Sequence, residues 1–107
     1  MDIRLLYGGD IMMIIVSYDV DFSNSDGAKR LRRVSKICQR YGVRVRNLVF
    51  EALLDPVQLS ELKTALAEVI DFDADTIRFY NLGTKWESKI STMGNDKGFK
   101  QDETLII

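Results

Sequence analysis

Few residues in this chain could catalyse a reaction, and the most suggestive of them is Asp19. The sequence of 107 residues contains no histidine and one cysteine, Cys38. Without histidine, the commonest general base and the Ser/His and Cys/His dyads of hydrolytic enzymes are excluded. A structural zinc site of the usual kind is excluded as well. Hydrolytic chemistry would therefore depend on carboxylates and a hard metal ion, Mg²⁺ or Mn²⁺.

Asp19 ends an apolar, β-branched run that begins at Met12 and is predicted to form a strand. Side chains alternate along a strand, so Ser17 and Asp19 share one face and Tyr18 lies on the other. Both faces are largely apolar and should be covered, and a second copy of the chain is the simplest cover for the Asp19 face. Two Asp19 carboxylates brought together would repel each other unless a divalent cation neutralised them. The alternative is that Asp19 merely starts the next turn.

A basic segment over residues 25–46 follows this strand. It carries eight lysines and arginines against one acid, although the net charge of the chain is −1. Such separation favours contact with a nucleic-acid backbone, while an ordinary solvated helix face is the alternative. Arginine outnumbers lysine here, which suits phosphate binding. The residues interpreted as phosphate contacts are Arg30, Arg33, Arg44 and Arg46.

Aromatic residues offer a second kind of nucleic-acid contact. Phe50, Tyr41 and Tyr80 could stack on bases, although most aromatics in small domains belong to the core. Cys38 fits an apolar helix face and is interpreted as core packing rather than as a nucleophile. A single cysteine agrees with a reducing cytoplasm. The longest apolar run has six residues, which is too short to span a membrane.

Hydrophobic periodicity predicts the elements that position these residues. Gly42 suits a helix end, and Asp55 followed by Pro56 is a strong helix start. Asn47 leaves open whether residues 43–54 form one long strand or two short ones. The predicted elements are a strand over 12–20, a helix over 28–41, the strand or strands over 43–54, a helix over 56–70 and a strand over 76–82. This order predicts an α+β sandwich with both helices on one sheet face. Residues 86–101 are predicted to be irregular and 103–107 to form an edge strand.

Taken together, these motifs resemble the CRISPR-associated Cas-two (Cas2) family, and most closely its type I-C branch. The resemblance covers residues 12–82 and the last residues of the tail. The motifs that recur in order and spacing are Tyr18-Asp19-Val20, Lys29-Arg30-Leu31-Arg32-Arg33-Val34, Ile37-Cys38, Tyr41-Gly42, Arg44-Val45, Val49-Phe50-Glu51, Asp55-Pro56 and Tyr80-Asn81-Leu82-Gly83.

The resemblance implies a ferredoxin-like βαββαβ sandwich with an additional C-terminal strand, assembled as a symmetric homodimer. It also implies Mg²⁺-dependent cleavage of phosphodiester bonds, with Asp19 as the metal ligand. From their own positions and residue types, Ser17, Tyr18 and Phe50 are interpreted as supporting residues. The dimer would bind duplex DNA and bridge integrase subunits during spacer acquisition. On this interpretation, residues 1–11 are an extension, 12–82 the nuclease domain and 83–107 a tail whose strand 103–107 packs at the dimer.

Three functions remain open at this point. The first is an active metal-dependent endonuclease on DNA or RNA. The second is a non-catalytic DNA-binding scaffold that bridges integrase subunits. The third is a toxin-type RNA interferase of the related ferredoxin-like group.

Overall fold

The computed structural model of the protein describes residues 10–23 and 26–99. Within them the chain forms β1 (Met12–Asp19), α1 (Gly27–Tyr41), β2 (Val43–Arg46), β3 (Val49–Leu54), α2 (Pro56–Ala67), β4 (Thr76–Gly83) and a short 3₁₀ helix (Glu87–Lys89). The expected βαββαβ order is therefore confirmed. The predicted strand over 103–107, and all but the end of the predicted extension over 1–11, lie outside the described residues.

The strands form one antiparallel sheet in the order β2-β3-β1-β4. Residues 43–54 are two strands joined by a tight turn at Asn47 and Leu48, which settles the alternative that the sequence left open. β1 lies between β3 and β4, so Ser17 faces Val49 on one side and Arg78 on the other. Asp19 pairs with Thr76 at the end of the sheet.

Both helices pack on one face of the sheet, as predicted. Alternate residues of β1 and β3 form the core with side chains from α1 and α2, because successive strand residues point to opposite faces. The buried core residues are Ile14, Val16, Tyr18, Phe50, Ala52 and Leu54 from the strands, and Val34, Ile37, Cys38, Leu62 and Leu66 from the helices. None of the helices in the described ranges is long and apolar enough to cross a membrane.

The helix ends follow local rules. Asp55 accepts a hydrogen bond from the Gln58 N–H at 2.7 Å, and the Gln58 side chain accepts one from the Asp55 N–H at 3.0 Å. This capping box confirms the predicted start of α2. α2 ends at Ala67 rather than at 70, and the Val69 N–H then bonds to the Leu66 carbonyl in the i→i−3 pattern of a tightened last turn. Gly42 ends α1 with its N–H bonded to the Cys38 carbonyl at 3.0 Å.

The other sheet face, here called the open face, carries Asp19. It is formed by Ile15, Ser17 and Asp19 of β1, Val49, Glu51 and Leu53 of β3, and Arg78 and Tyr80 of β4. A second copy of the chain was predicted to cover this face, and residues 98 and 99 of the chain itself already cover part of it. These residues lie over Glu51. The Glu51 side chain accepts a hydrogen bond from the Phe99 N–H at 3.1 Å and lies directly against Gly98. Burial raises the pKa of the Glu51 carboxyl.

Candidate active site at the end of the first strand

Asp19 is the last residue of β1, and its side chain is exposed on the open face. Ser17 precedes it on the same face and is half-buried between the strands on either side. This placement agrees with the predicted face of both residues. An exposed carboxylate at the edge of a partly apolar surface is accessible both to a phosphodiester and to a second copy of the chain.

Two arginines flank Asp19 at this end of the open face. Arg46 pairs with Val49, which in turn faces Ser17, so strand spacing places the Arg46 backbone roughly 10 Å from β1. Arg78 faces Ser17 from the opposite side. Its guanidinium lies 5.5 Å from the centre of the Tyr80 ring, a cation–π distance. Both arginines are exposed, so the surroundings of the acid are positively charged.

Arg78 was not among the site residues predicted from the sequence. The alternation of apolar and polar residues along β4 could have identified it. Ile77 and Phe79 pack against the core, so Arg78 between them must lie on the open face.

A buried polar network lies behind Asp19, on the helix side of the sheet. The Asp75 carboxylate has no exposed side-chain surface and accepts hydrogen bonds from Arg30 Nε at 2.7 Å and from the Tyr18 hydroxyl at 2.9 Å. Arg30 Nη2 donates to its second oxygen at 3.2 Å. Backbone N–H groups of Asp21 and Asp71 complete the set at 3.0 and 3.1 Å. The ion pair between Asp75 and Arg30 is thus buried, and hydrogen bonds compensate both charged groups for the loss of water.

The network shifts the pKa values of its members. Burial and the hydrogen bond to Asp75 together raise the pKa of Tyr18 to about 12. Burial by itself would raise the pKa of the Asp75 carboxyl, but the Arg30 guanidinium and the donated hydrogen bonds outweigh it and lower that pKa well below its usual range. Asp75 is therefore an anion, Tyr18 a neutral donor and Arg30 a cation throughout the physiological range.

The network corrects the expected role of Arg30 and the supporting residues. Arg30 was predicted to contact phosphate, but it is 9% exposed and bonded to Asp75. Phe50 is fully buried in the core and presents no ring to a base. Tyr18 is buried on the helix side, as the alternation of the strand predicts, and it touches the site only through Asp75.

The other expected phosphate contacts are exposed but do not form one cluster. Arg33 lines a groove of about 320 Å³ between the start of α1 and residues 69–71. Arg44 lines a second groove, of about 660 Å³, with its guanidinium 5.5 Å from the Phe50 ring centre. An irregularity in the β2–β3 pairing places Arg44 opposite Phe50 and Arg46 opposite Val49, hence on opposite sheet faces.

A metal ion would need oxygen or sulfur donors close together at these positions. Within residues 10–23 and 26–99, no group of three or more Asp, Glu or Cys side chains is arranged to hold a metal. Mg²⁺, however, commonly binds through one or two carboxylates, with waters and substrate phosphates supplying the remaining oxygens. Asp19 fits that pattern if a second carboxylate or a phosphate joins it, so the residues suit a hard cation shared with another molecule.

The fold and this site define a class: a small ferredoxin-like α+β protein with an exposed aspartate at the end of its first strand and a basic first helix. Residues 12–90 match the family model for CRISPR associated protein Cas2. The chain therefore belongs to the Cas2 family, as the sequence motifs indicated. The type I-C branch stays a prediction.

Relatives and solved structures agree with this assignment. The chain is 41% identical to the CRISPR-associated endoribonuclease Cas2 of Nitratidesulfovibrio vulgaris, covering 95% of this chain and 100% of that protein. It is 41% identical to the CRISPR-associated endonuclease Cas2 of Halalkalibacterium halodurans, over 89% of this chain and 99% of the relative. The crystal structure of Streptococcus pyogenes Cas2 at pH 6.5 superposes with a TM-score of 0.69 at 44% identity, over 78% of this chain and 100% of that one.

Proposed function

We propose that this protein is a metal-dependent endonuclease that acts as a homodimer on nucleic acid in CRISPR adaptation. The observation that carries the proposal is the placement of Asp19, an exposed carboxylate on the open face flanked by Arg46 and Arg78. Relatives that are named as an endoribonuclease and an endonuclease support the reaction class. The family assignment favours the CRISPR functions over a toxin-type RNA interferase.

Asp19 would bind Mg²⁺ or Mn²⁺ together with Asp19 of a second copy. When bound, the cation supplies an activated water and neutralises charge on the phosphate. Arg46 and Arg78 then bind phosphate oxygens on either side of the acid and hold the strand across the site. Ser17 lies beside Asp19 on the same face and can donate a hydrogen bond that orients the carboxylate. The chain provides no histidine, so proton transfer falls to carboxylates and water.

The open face supports the dimer. Ile15 and Leu53 are only half-buried there, and Tyr80 remains 44% exposed. A stable interface between copies typically buries more than about 1,200 Å² in total. Because Asp19 lies at one end of this face, a twofold axis nearby would bring two carboxylates together. Light scattering at micromolar concentration should give twice the chain mass of 12.3 kDa, and a clean monomer would refute the dimer.

A DNA-binding role that does not require cleavage is the second candidate. Seven of the eight cations in the basic segment are exposed, and those on α1 lie on the helix side, across the sheet from Asp19. A duplex bound there need not touch the acid, which is what a scaffold bridging integrase subunits requires. The logarithm of the binding constant for duplex DNA should fall linearly with the logarithm of the salt concentration, with a slope of about −0.9 for each phosphate contacted. Salt-independent binding would contradict this proposal.

The nuclease proposal is tested by cleavage of duplex DNA and single-stranded RNA with and without Mg²⁺ or Mn²⁺. Asp19→Asn keeps the side-chain shape and removes the charge, so divalent-dependent cleavage should be lost while the dimer and DNA binding persist. Asp73→Asn is the matched control, since Asp73 is also exposed but lies in the turn before β4. Equal cleavage by wild type and Asp19→Asn would refute the proposal.

A further inference from the structure

The backbone on both sides of Asp19 is fastened to one buried carboxylate. The Tyr18 hydroxyl, from the residue just before Asp19, donates to Asp75 Oδ2 at 2.9 Å. The Asp21 N–H, two residues after Asp19, donates to Asp75 Oδ1 at 3.0 Å. Asp19 therefore lies on a short stretch of chain that is anchored at each end, although its own side chain points to the opposite face of the sheet.

Arg30 strengthens the second anchor. Its guanidinium spans the carboxylate with Nε on Oδ2 and Nη2 on Oδ1. The same Nη2 donates to the Asp21 carbonyl oxygen at 3.2 Å. Asp21 is thus held through both of its backbone polar groups, and the chain after Asp19 cannot move without breaking charge-assisted bonds.

A third restraint reaches Asp19 through β4. Asp75 immediately precedes Thr76, and Thr76 is the register partner of Asp19 at the last rung of the sheet. The Asp71 N–H fixes the Asp75 carboxylate from the preceding loop at 3.1 Å. Strand ends ordinarily fray more readily than strand centres. At this end of the sheet, however, the Asp19–Thr76 pair directly follows Asp75, which forms a buried ion pair with Arg30.

We propose that Asp75, together with Arg30 and Tyr18, forms a clamp that positions Asp19 for metal binding and cleavage. This inference rests on the proposed function of Asp19. The clamp residues touch neither metal nor nucleic acid; they fix the backbone from which the Asp19 carboxylate projects. A displacement of about 1 Å at a reacting group can cost roughly 100-fold in rate, so a frayed strand end would reduce turnover without removing any ligand.

Tyr18→Phe is the variant that separates positioning from folding. It keeps the ring in the core and leaves the Asp75–Arg30 pair intact, but removes the anchor before Asp19. We expect kcat for divalent-dependent cleavage to fall about tenfold, since one net hydrogen bond corresponds to up to about that factor. KM for nucleic acid should not change, because no phosphate contact is removed. Ser60→Ala also removes one hydroxyl, from an exposed position on α2 across the sheet from Asp19, and should leave kcat unchanged.

Amide hydrogen exchange provides a readout that does not depend on activity. In Tyr18→Phe the Asp21 amide, which donates to Asp75, should exchange about tenfold faster, while the Leu62 and Leu66 amides of α2 keep their wild-type rates. Unchanged exchange at Asp21 would refute the clamp. Uniformly faster exchange through α2 would show a general loss of stability and also overturn the proposal.

The two proposals fail in distinguishable ways. A wild type that cleaves no faster than Asp19→Asn refutes the nuclease function, and exchange at Asp21 still tests the clamp in the same preparations. If cleavage depends on Asp19 but Tyr18→Phe retains the wild-type kcat despite faster local exchange, the clamp exists without positioning the reaction. That result overturns the inference and leaves the proposed function in place.

Discussion

Replacing Asp75 with asparagine is expected to destabilise the fold more than any surface change in this chain. The Asp75 side chain is completely buried and accepts five hydrogen bonds from four residues. Asparagine has the same shape, but one of its two polar atoms becomes a donor that faces other donors. Arg30, whose side chain is 10% exposed, would lose its counter-charge. Removing one partner of a buried ion pair costs about 3–5 kcal/mol.

That loss is large beside the total stability of such a domain, which is typically about 5–15 kcal/mol. Urea unfolding followed by far-ultraviolet circular dichroism, at one fixed protein concentration, measures it directly. With a slope of about 1–3 kcal/mol per molar urea, the midpoint should fall by at least about 1 M. Asp73→Asn, an exposed neighbour in the same turn, should change the free energy of unfolding by less than about 0.5 kcal/mol. If both variants lose less than about 1 kcal/mol, the network does not hold the fold together as argued.

Three further predictions follow from the same contacts. Because the pKa of Asp75 is lower in the folded than in the unfolded protein, where it is about 3.9, Asp75 contributes fully to the free energy of unfolding above that pH and loses this contribution as the pH falls further. Between about pH 6 and pH 2, the urea midpoint should therefore decline less steeply in Asp75→Asn than in wild type. Parallel declines of the two midpoints would contradict this. Burial raises the pKa of Cys38 to about 12, so mass spectrometry should find no iodoacetamide adduct on the native protein at about pH 8 and rapid labelling in urea; rapid native labelling would contradict the buried position. Asp55→Ala removes the capping box and should cost about 0.5–2 kcal/mol in urea unfolding, while no loss would show that the cap is redundant.

Much of the fold was predictable because its signals are local. The capping residues Asp55 and Pro56 and the apolar periodicity of both helices mark elements that need no distant information. The alternation along β1 correctly predicted that Asp19 and Tyr18 face opposite sides. Alternation also explains why the Phe50 ring lies in the core, since Phe50 pairs with the core residue Val16.

The clamp was not predictable from the sequence. Asp75 meets Tyr18 and Arg30 across separations of 57 and 45 residues. A count of charges records Arg30 as one more cation of the basic segment and cannot show that it is buried. Nor does a two-residue period reveal the irregularity between Arg44 and Arg46, which places these two predicted phosphate contacts on opposite faces of the sheet.

The central claim is that Asp19 from two copies shares one metal-dependent site. It is tested most directly by unfolding wild type and Asp19→Asn together in equal amounts, refolding them into mixed dimers and measuring divalent-dependent cleavage. If both carboxylates are required, only dimers with two wild-type chains cleave, and the rate should be about one quarter of that of refolded wild type. A rate of one half would show that each Asp19 acts alone, and a rate equal to wild type would contradict any role of Asp19 in cleavage.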